Sequence, residues 1–475
     1  MIAMTAAEIA EAVGGNLHNL SCGSAKITSI STDSRPLPED GEKEECLFVA
    51  LRGEHFDGHQ YVGSALRNKA AFALVDQRGK DEFCSDVPED RLILCEDTEQ
   101  AFLDIAGYYR KKFQFKMVGI TGSVGKTTTK EMIAQALSAQ FHTLKTEGNY
   151  NNRVGLPKTL LRLDEDTETA VIEMGMNSFG EISDLTRRAK PDLAVITNIG
   201  VAHIEYLGSR EGILKAKMEI LDGMTSTAPL VLNFDDDLLC QYRDENRKVI
   251  SYGIQNEDCD IKGSDVVEGD KETSFLIHAD GKEYAAKIPT IGTYNVLNAL
   301  AAFAVGREFG MEPETIVEAL AHYRPSGMRQ HIVERHGIRV IEDCYNAGPD
   351  SMQAAIKAFG SMKRPQHTRT RKIFVMGDMF ELGDFSRQAH YEAGISAAKE
   401  DIDVIFCCGE ACKAAVQGAE EASGPDGRKD IRHFDSKEEM TKALLGMIRE
   451  GDALWFKASR GMKLEEVLSR LYERF

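Results

Sequence analysis

The chain has no excess of positive charge: 57 Lys and Arg stand against 76 Asp and Glu, a formal net charge of −19. No global field therefore draws it to nucleic acid or to an anionic membrane, and any phosphate it binds must be held by locally placed amides and cations. There is no apolar run approaching the ~20 residues of a membrane span, and no charged segment followed by an apolar core at the N-terminus. Thr5 and Glu8 instead have capping-box spacing ahead of Ile9 and Val13, which predicts a first helix. The ten cysteines form no C-x-x-C pair, and their one cluster, Cys407, Cys408 and Cys412, lacks the neighbouring His or Cys pair of a zinc site. Buried thiols in a reducing, cytoplasmic setting are the expectation. No internal repeat or low-complexity tract interrupts the sequence.

A chain of 475 residues is too long for one hydrophobic core, and a prior of roughly 100–200 residues per domain suggests about three domains. Texture divides it the same way. Residues 1–96 carry short strands and turns, among them LFVALRGEHFDGHQY from Leu47 to Tyr61. From residue 97 to 325 strands and helices alternate. TEQAFLDIAGYYRKKF has helical spacing, MVGI is an apolar strand, EMIAQALSAQ a helix, AVIEMGM and LAVITNIG buried strands, and NVLNALAAFAVGREFG a helix. The polar stretch 246–289 reads as a peripheral strand meander. A turn at Arg324-Pro325-Ser326-Gly327 marks a boundary, and residues 326–475 place the strands RVIEDCY, KIFVMGDM, VIFCCG and ALWFKAS at spacings that leave room for helices. The fold class expected is α/β in three domains: a small N-terminal α/β domain, a central parallel-sheet domain with a phosphate loop, and a C-terminal Rossmann-like domain.

The sharpest motif runs from Gly119 to Thr127, GITGSVGKT, between a strand and a helix. Glycines let the backbone curl so that successive N–H groups of Gly122, Ser123, Val124 and Gly125 can face phosphate oxygens, and the helix N-terminus adds partial positive charge. Lys126 would reach the terminal phosphates, and Thr127, followed by Thr128, would offer a hydroxyl to Mg²⁺. The strict pattern asks for glycine where this chain has Ile120, so the match is to the G-K-T core. The plainer alternative is a glycine-rich turn with no ligand. Glu173 ends a buried strand at the edge where a nucleotide would lie, and suits a hard cation. His203 follows the next strand, where a lone histidine is usually a capping or core residue. Lys217 lies on the helix EGILKAKMEIL, where a cation beside magnesium would be repelled unless its charge were altered. Asn295 and Asn298 open a helix that either could cap.

In order along the chain, ITGSVGKTTTKEMI, GNYNNRVGLPKTLL, VIEMGMNSFGEI, TNIGVAHIEYLGS, KAKMEI, GTYNVLNALAA, MRQHIVERHGIRVIEDCYNAGPDSM, VMGDMFELG and FKASRGMKLE resemble the Mur ligase family. These are the ATP-dependent enzymes that build the peptide stem of the bacterial cell wall. The resemblance implies that domain one binds a UDP-sugar, domain two ATP, and domain three the amine while closing the cleft. Carried onto matching positions, Lys126 would contact the γ-phosphate, Thr127 and Glu173 would hold one Mg²⁺, and His203 would help hold a second. Lys217 matches a position carried as a carbamate formed with CO₂, which turns the cation into an anion. Asn298, with Asn295, would contact the adenine, and Arg329 and Asp343 would reach the nucleotide from the third domain. Ser31, Thr32, Ser34 and Arg35 of STDSR look like the uridine-side motif, with Phe48 and Gly53 following. Asn149, Asn151 and Asn152 of GNYNNR and the Tyr345–Asn346 pair of YNAGPDSM would face substrate.

YNAGPDSM and GDMFELG imply the family activity that adds D-alanyl-D-alanine to a UDP-N-acetylmuramoyl-tripeptide through an acyl phosphate. The expected partners are those two small molecules, with no nucleic acid and no membrane, for a monomer. Lys126, the loop amides and the metal would neutralise charge as carboxylate oxygen approaches phosphorus. The rivals are the relative that adds the third amino acid, whose Asp-Asn-Pro-Arg type motif is missing here, and the folylpolyglutamate ligases, disfavoured by the first domain. A slow nucleotide-hydrolysing switch is the rival from another class.

Overall fold

The computed structural model describes residues 1–17, 23–35, 45–53, 55–325, 327–364, 370–424 and 429–474. Glu54 of the LFVALRGEHFDGHQY segment and Ser326 of the boundary turn lie outside them. Thr5 caps the first helix, Ala6–Ala12, with the reciprocal Glu8 contact in place.

A nine-stranded sheet occupies the middle of the chain. Its strands lie in the order Lys282–Ile288, Thr273–Ala279, Ile261–Glu268, Val249–Gly253, Leu230–Asn233, Leu193–Ile196, Lys116–Thr121, Thr169–Glu173, Thr143–Lys145. The last seven are parallel. Leu193–Ile196, Thr169–Glu173 and all but the first residue of Lys116–Thr121 are buried on both faces, as their unbroken apolar runs require. The polar stretch contributes the antiparallel edge of Ile261–Glu268, Thr273–Ala279 and Lys282–Ile288.

Lys116–Thr121 has a later strand on each side, Thr169–Glu173 and Leu193–Ile196. The strand order therefore reverses at its carboxyl end, and the chain leaves that end as the phosphate loop. In open α/β sheets a crevice opens at such a switch point, so topology alone places the loop where a ligand can reach it.

Two further sheets accompany this one, besides a two-stranded pairing of Met4–Thr5 with Lys26–Ile27. The N-terminal sheet orders Asn16–Leu17, Leu92–Cys95, Ala70–Asp76, Cys46–Val49, Ser29–Ser31, parallel except for the first pair. The C-terminal sheet orders His331–Arg335, Ile338–Asp343, Ala453–Lys457, Lys372–Gly377, Val404–Cys408, Asp430–Phe434, again parallel except for the first pair. Cys407 and Cys408 are buried within it, and Cys412 at the start of the helix Cys412–Ser423 beside it, all as free thiols.

The helix Thr98–Arg110 joins the first two units, and its buried face lies in one core with Met4, Ile9, Leu156 and Leu185. Tyr109, fully buried, accepts a hydrogen bond from the Ile2 amide at 2.7 Å and donates to the Leu163 carbonyl at 2.9 Å. Removing a hydroxyl that serves two backbone groups leaves the buried carbonyl unsatisfied. Tyr109→Phe is expected to lower unfolding free energy by about 1–3 kcal/mol, read by denaturant titration.

Candidate active site

The phosphate loop is shaped by two glycines and pinned from one side. Gly122 has φ 149° and Gly125 φ 84°, values side chains rarely adopt. A Cβ on Gly122 would also fall 1.9 Å from Thr197 Oγ1. The Ser123 and Val124 amides donate to the backbone carbonyl (3.0 Å) and side-chain oxygen (2.9 Å) of Asn198, while Thr197 Oγ1 donates to the Val124 carbonyl at 2.6 Å. Those two loop amides are thus spent on Asn198. Further donors for an anion lie in the first turn of the helix Lys126–Leu137, which has no side-chain cap and so leaves its leading N–H groups without intrahelical partners. Thr127, buried, and Thr128 belong to that turn.

The Lys126 ammonium folds back onto the loop, donating to the carbonyls of Gly122 at 2.7 Å and Ser123 at 3.3 Å. Burial holds it below the ordinary lysine range; the Glu173 carboxylate opposes that shift and Arg329 reinforces it. Glu173, 2% exposed, closes its strand and receives Asn151 Nδ2 on Oε1 at 2.8 Å. Its Oε2 is buried with no hydrogen-bond partner.

His203 has φ 62°, and its Nδ1 is likewise buried with no hydrogen-bond partner, the Glu381 carboxylate lying 3.7 Å away. Burial first, then Lys126 and Lys217, lower its pKa to about 4, so the imidazole is neutral and carries a lone pair at neutral pH. Lys217, 2% exposed on the helix Arg210–Met218, is pushed well below the ordinary lysine range by burial and by Lys126. Lys126, Glu173, His203 and Lys217 therefore share one electrostatic site. Two of its buried atoms make no hydrogen bond, a carboxylate oxygen and an imidazole nitrogen, and each has a lone pair to offer a cation. With the Thr127 hydroxyl the set fits a hard divalent ion such as Mg²⁺.

The flanking units contribute unevenly. Arg329 stacks on Tyr345 with its guanidinium carbon 3.6 Å from the ring centroid, and it acts electrostatically on Lys126. Asp343 is buried, paired with Lys457 Nζ at 2.9 Å and bonded by Trp455 Nε1 at 3.3 Å, and burial raises its pKa. Lys457 also donates to the Asn346 carbonyl at 3.2 Å. Asn298 accepts from Thr129 Oγ1 at 2.9 Å and donates to Asn295 Oδ1 at 3.1 Å, while Asn295 donates to the Ile291 carbonyl and to Gln330 Oε1, both at 2.9 Å. The two carboxamides thus tie the loop helix to the start of the C-terminal unit, and neither acts as the helix cap. Asn152 Oδ1 accepts the Gly155 amide at 2.8 Å where the short helix Gly155–Leu160 begins, and Asn149 receives the Asn151 amide on its carbonyl.

In the N-terminal unit Ser31 Oγ accepts the Asp33 amide, and Arg35 pairs with Asp33, which holds that carboxyl near about 2. Lys158, on the helix Gly155–Leu160 of the central unit, also lowers the Asp33 pKa, so Asp33 of STDSR, the motif that includes Thr32, lies within electrostatic reach of that helix. Ser34 is nearly buried, its carbonyl taken by Asn68 at 3.2 Å, and Gly53 donates to the Phe56 carbonyl at 2.9 Å.

Phe48 is a correction to the sequence reading. It is 1% exposed in the apolar cluster with Val62, Ala73 and Val75, so its ring has no face left for a ligand. A strand residue in an unbroken apolar run gives no alternation from which to tell core from cleft. Phe48→Ala is expected to destabilise the protein by about 3–5 kcal/mol, measured by denaturant unfolding.

Sequence reasoning missed Lys130, Thr146 and Asn198. Lys130 is fully buried, donates to the Thr146 carbonyl at 2.6 Å and lies 3.9 Å from Glu173 Oε2. Thr146 Oγ1 in turn accepts the Glu173 amide at 3.0 Å. Lys130 stands four residues after Lys126, one helical turn on, and that spacing was the available signal.

A phosphate loop at a switch point, faced by an acid, a neutral histidine and a buried lysine, defines a nucleotide-dependent enzyme of the phosphate-loop class. Family models agree: one for the Mur ligase middle domain matches residues 120–306, and one described as Mur ligase, glutamate ligase domain matches residues 328–460. A UDP-N-acetylmuramoyl-tripeptide–D-alanyl-D-alanine ligase from Bacillus subtilis is 39% identical over all of this chain and 99% of its own length. The ligase of that name from Escherichia coli is 31% identical over 100% and 99%. Among solved structures, MurF from Acinetobacter baumannii matches with a TM-score of 0.88 at 30% identity over 99% of both chains. MurF from Thermotoga maritima in complex with ADP matches at 0.81 and 29%, over 94% of this chain and 98% of that one. The chain belongs to the Mur ligase family.

Proposed function

We propose that the chain joins D-alanyl-D-alanine to UDP-N-acetylmuramoyl-tripeptide at the cost of ATP, giving the UDP-linked pentapeptide, ADP and phosphate for peptidoglycan synthesis. The observation that carries this is the span of the likeness. It runs through all three units, the first included, to relatives whose names state that reaction.

A carboxylate is a poor electrophile because it offers no workable leaving group. Transfer of the γ-phosphoryl group gives an acyl phosphate, the amine of D-alanyl-D-alanine attacks its carbonyl, and phosphate departs. Two anions must meet in the first step. Lys126 and the amides opening the helix Lys126–Leu137 would neutralise the phosphoryl oxygens. Thr127, Glu173 and His203 would hold Mg²⁺, two ions in all, which when bound supply further charge neutralisation on the transferring group. Lys217 would act as a carbamate. Burial and Lys126 favour its neutral amine, the form that adds to CO₂, and the product places an anion where a cation would repel metal. Arg329, Tyr345 and Asn346 would act from the C-terminal unit, Asn149 and Asn151 would orient substrate beside Glu173, and Asn295 and Asn298 would support the adenine side. Ser31, Thr32, Ser34, Arg35 and Gly53 would border the uridine side. Closure of the third unit would keep water from the acyl phosphate. Among the described residues no helix is long and apolar enough to cross a membrane, and we place the protein in the cytoplasm as a monomer.

The test is phosphate release from ATP with Mg²⁺, UDP-N-acetylmuramoyl-tripeptide and D-alanyl-D-alanine, each omitted in turn. Release that needs both acceptors, with a pentapeptide product by mass, is expected. Release indifferent to both would leave only a nucleotide switch.

A further inference from the structure

Three successive backbone amides lead from the strand Leu193–Ile196 toward His203, and each is received by a different part of the protein. Ile199 donates to Asp236 Oδ2 at 2.7 Å, within the central unit. Gly200 donates to Ser123 Oγ of the phosphate loop at 2.9 Å. Val201 donates to Asp350 Oδ2 at 3.3 Å, and Asp350 belongs to the C-terminal unit, in the first turn of the helix Pro349–Ser361. Arg210 fixes the far side by donating to the Ile199 carbonyl at 2.8 and 3.0 Å. Two of the three amide acceptors are thus present whatever the C-terminal unit does, and the third arrives only with it.

The approach of Asp350 depends on Gly200 having no side chain. A Cβ there would lie 1.9 Å from Asp350 Oδ2 and 3.0 Å from its carboxyl carbon, and 3.3 Å from Ser123 Cβ. Two residues beyond Val201, the chain bends through the left-handed conformation of His203, whose Nδ1 stands 3.7 Å from Glu381 Oε2 of the same C-terminal unit. A segment bonded to the phosphate loop at one residue and to the closing domain at the next can register both at once.

We infer that Asp350, seated over Gly200, is a positioning residue: its carboxylate latches the C-terminal unit onto the Ile199–Val201 segment and so sets the His203 loop only when that unit is closed. This deepens the ligase reading and rests on it. The plainer role for an acid in a helix's first turn is to favour the helix dipole, which would move stability and nothing else.

The test is a double-mutant cycle of Asp350→Ala, Gly200→Ala and the pair in the full chain, read in three ways. Asp350→Ala is expected to lower kcat about tenfold and the amide formed per phosphate released, while ADP affinity by calorimetry stays within about twofold. Gly200→Ala alone is expected to be at least as slow, because its methyl meets the carboxylate. The pair is expected to be no slower than Asp350→Ala, since the clashing atoms are gone. Small-angle scattering reads closure without turnover: both single variants are expected to be more extended than the wild type with nucleotide bound, and the pair no more so than Asp350→Ala. Losses that multiply in the pair, or an Asp350→Ala variant with wild-type kcat and scattering and only a lower melting temperature, would overturn the latch. A wild type that closes normally but forms no amide would count against the ligase reading instead, and the scattering cycle would still decide the latch.

Discussion

Lys126→Met is expected to slow ATP-dependent phosphate release by about a thousandfold or more, some 4 kcal/mol of transition-state stabilisation. The ammonium is the one cation carried by the phosphate loop itself, and it already lies against the carbonyls of Gly122 and Ser123, facing the crevice at the sheet's switch point. Charge on the transferring phosphoryl group develops in a site that burial has made less polar, where an aligned cation is worth more than in water. Methionine keeps most of the unbranched side chain and removes the charge together with its hydrogen bonds to the loop carbonyls. Relief of the burial cost and of the Arg329 repulsion works against the loss of the Glu173 attraction and of two hydrogen bonds, so the melting temperature is measured beside activity. Phosphate release within tenfold of wild type, with the fold intact by thermal unfolding, would remove Lys126 from the account.

The second large effect concerns Lys217. Lys217→Ala is expected to lose about a hundredfold or more of ligase activity, and added formate or acetate should restore part of it by placing a small carboxylate in the vacated space. Lys217→Arg should lose as much and respond to neither acid. A guanidinium cannot form the carbamate, and it keeps a permanent cation near Lys126, which already acts on Lys217, and near His203, which Lys217 already acts on. The chemistry can also be watched apart from turnover. Wild-type protein in carbon-13 bicarbonate should show a carbamate resonance that is missing from Lys217→Ala. Full activity in Lys217→Arg would mean that a cation suffices there and that the carbamate plays no part.

The sequence carried the site's chemistry further than its support. Lys126 sits in a short motif and Glu173 at a strand end, so local pattern was enough to name them, whereas His203 and Lys217 were assigned only through the family resemblance; the fold brings the four into one electrostatic site. The residues that hold them come from distant parts of the chain. Asn198 receives two loop amides from 74 or more residues away in sequence, and Asp350 meets Val201 across 149; nothing local marks either. Lys130 is intermediate: its helical spacing from Lys126 was visible, but its burial beneath Glu173 depends on Thr146 from another element. Phe48 went the other way. A run of apolar residues in a parallel strand is buried on both faces, so its cleft-facing members cannot be told from its core by sequence. The α/β rhythm was legible because each strand and helix announces itself by period, whereas the reversal of strand order that creates the crevice is a long-range fact.

The most direct test of the central claim follows oxygen from the tripeptide carboxylate. UDP-N-acetylmuramoyl-tripeptide carrying oxygen-18 in the reacting carboxyl group would be turned over with unlabelled ATP and D-alanyl-D-alanine, and the products weighed by mass spectrometry. An acyl phosphate intermediate moves one labelled oxygen into inorganic phosphate for each pentapeptide formed. Label appearing in AMP, or phosphate free of label while pentapeptide accumulates, would contradict it.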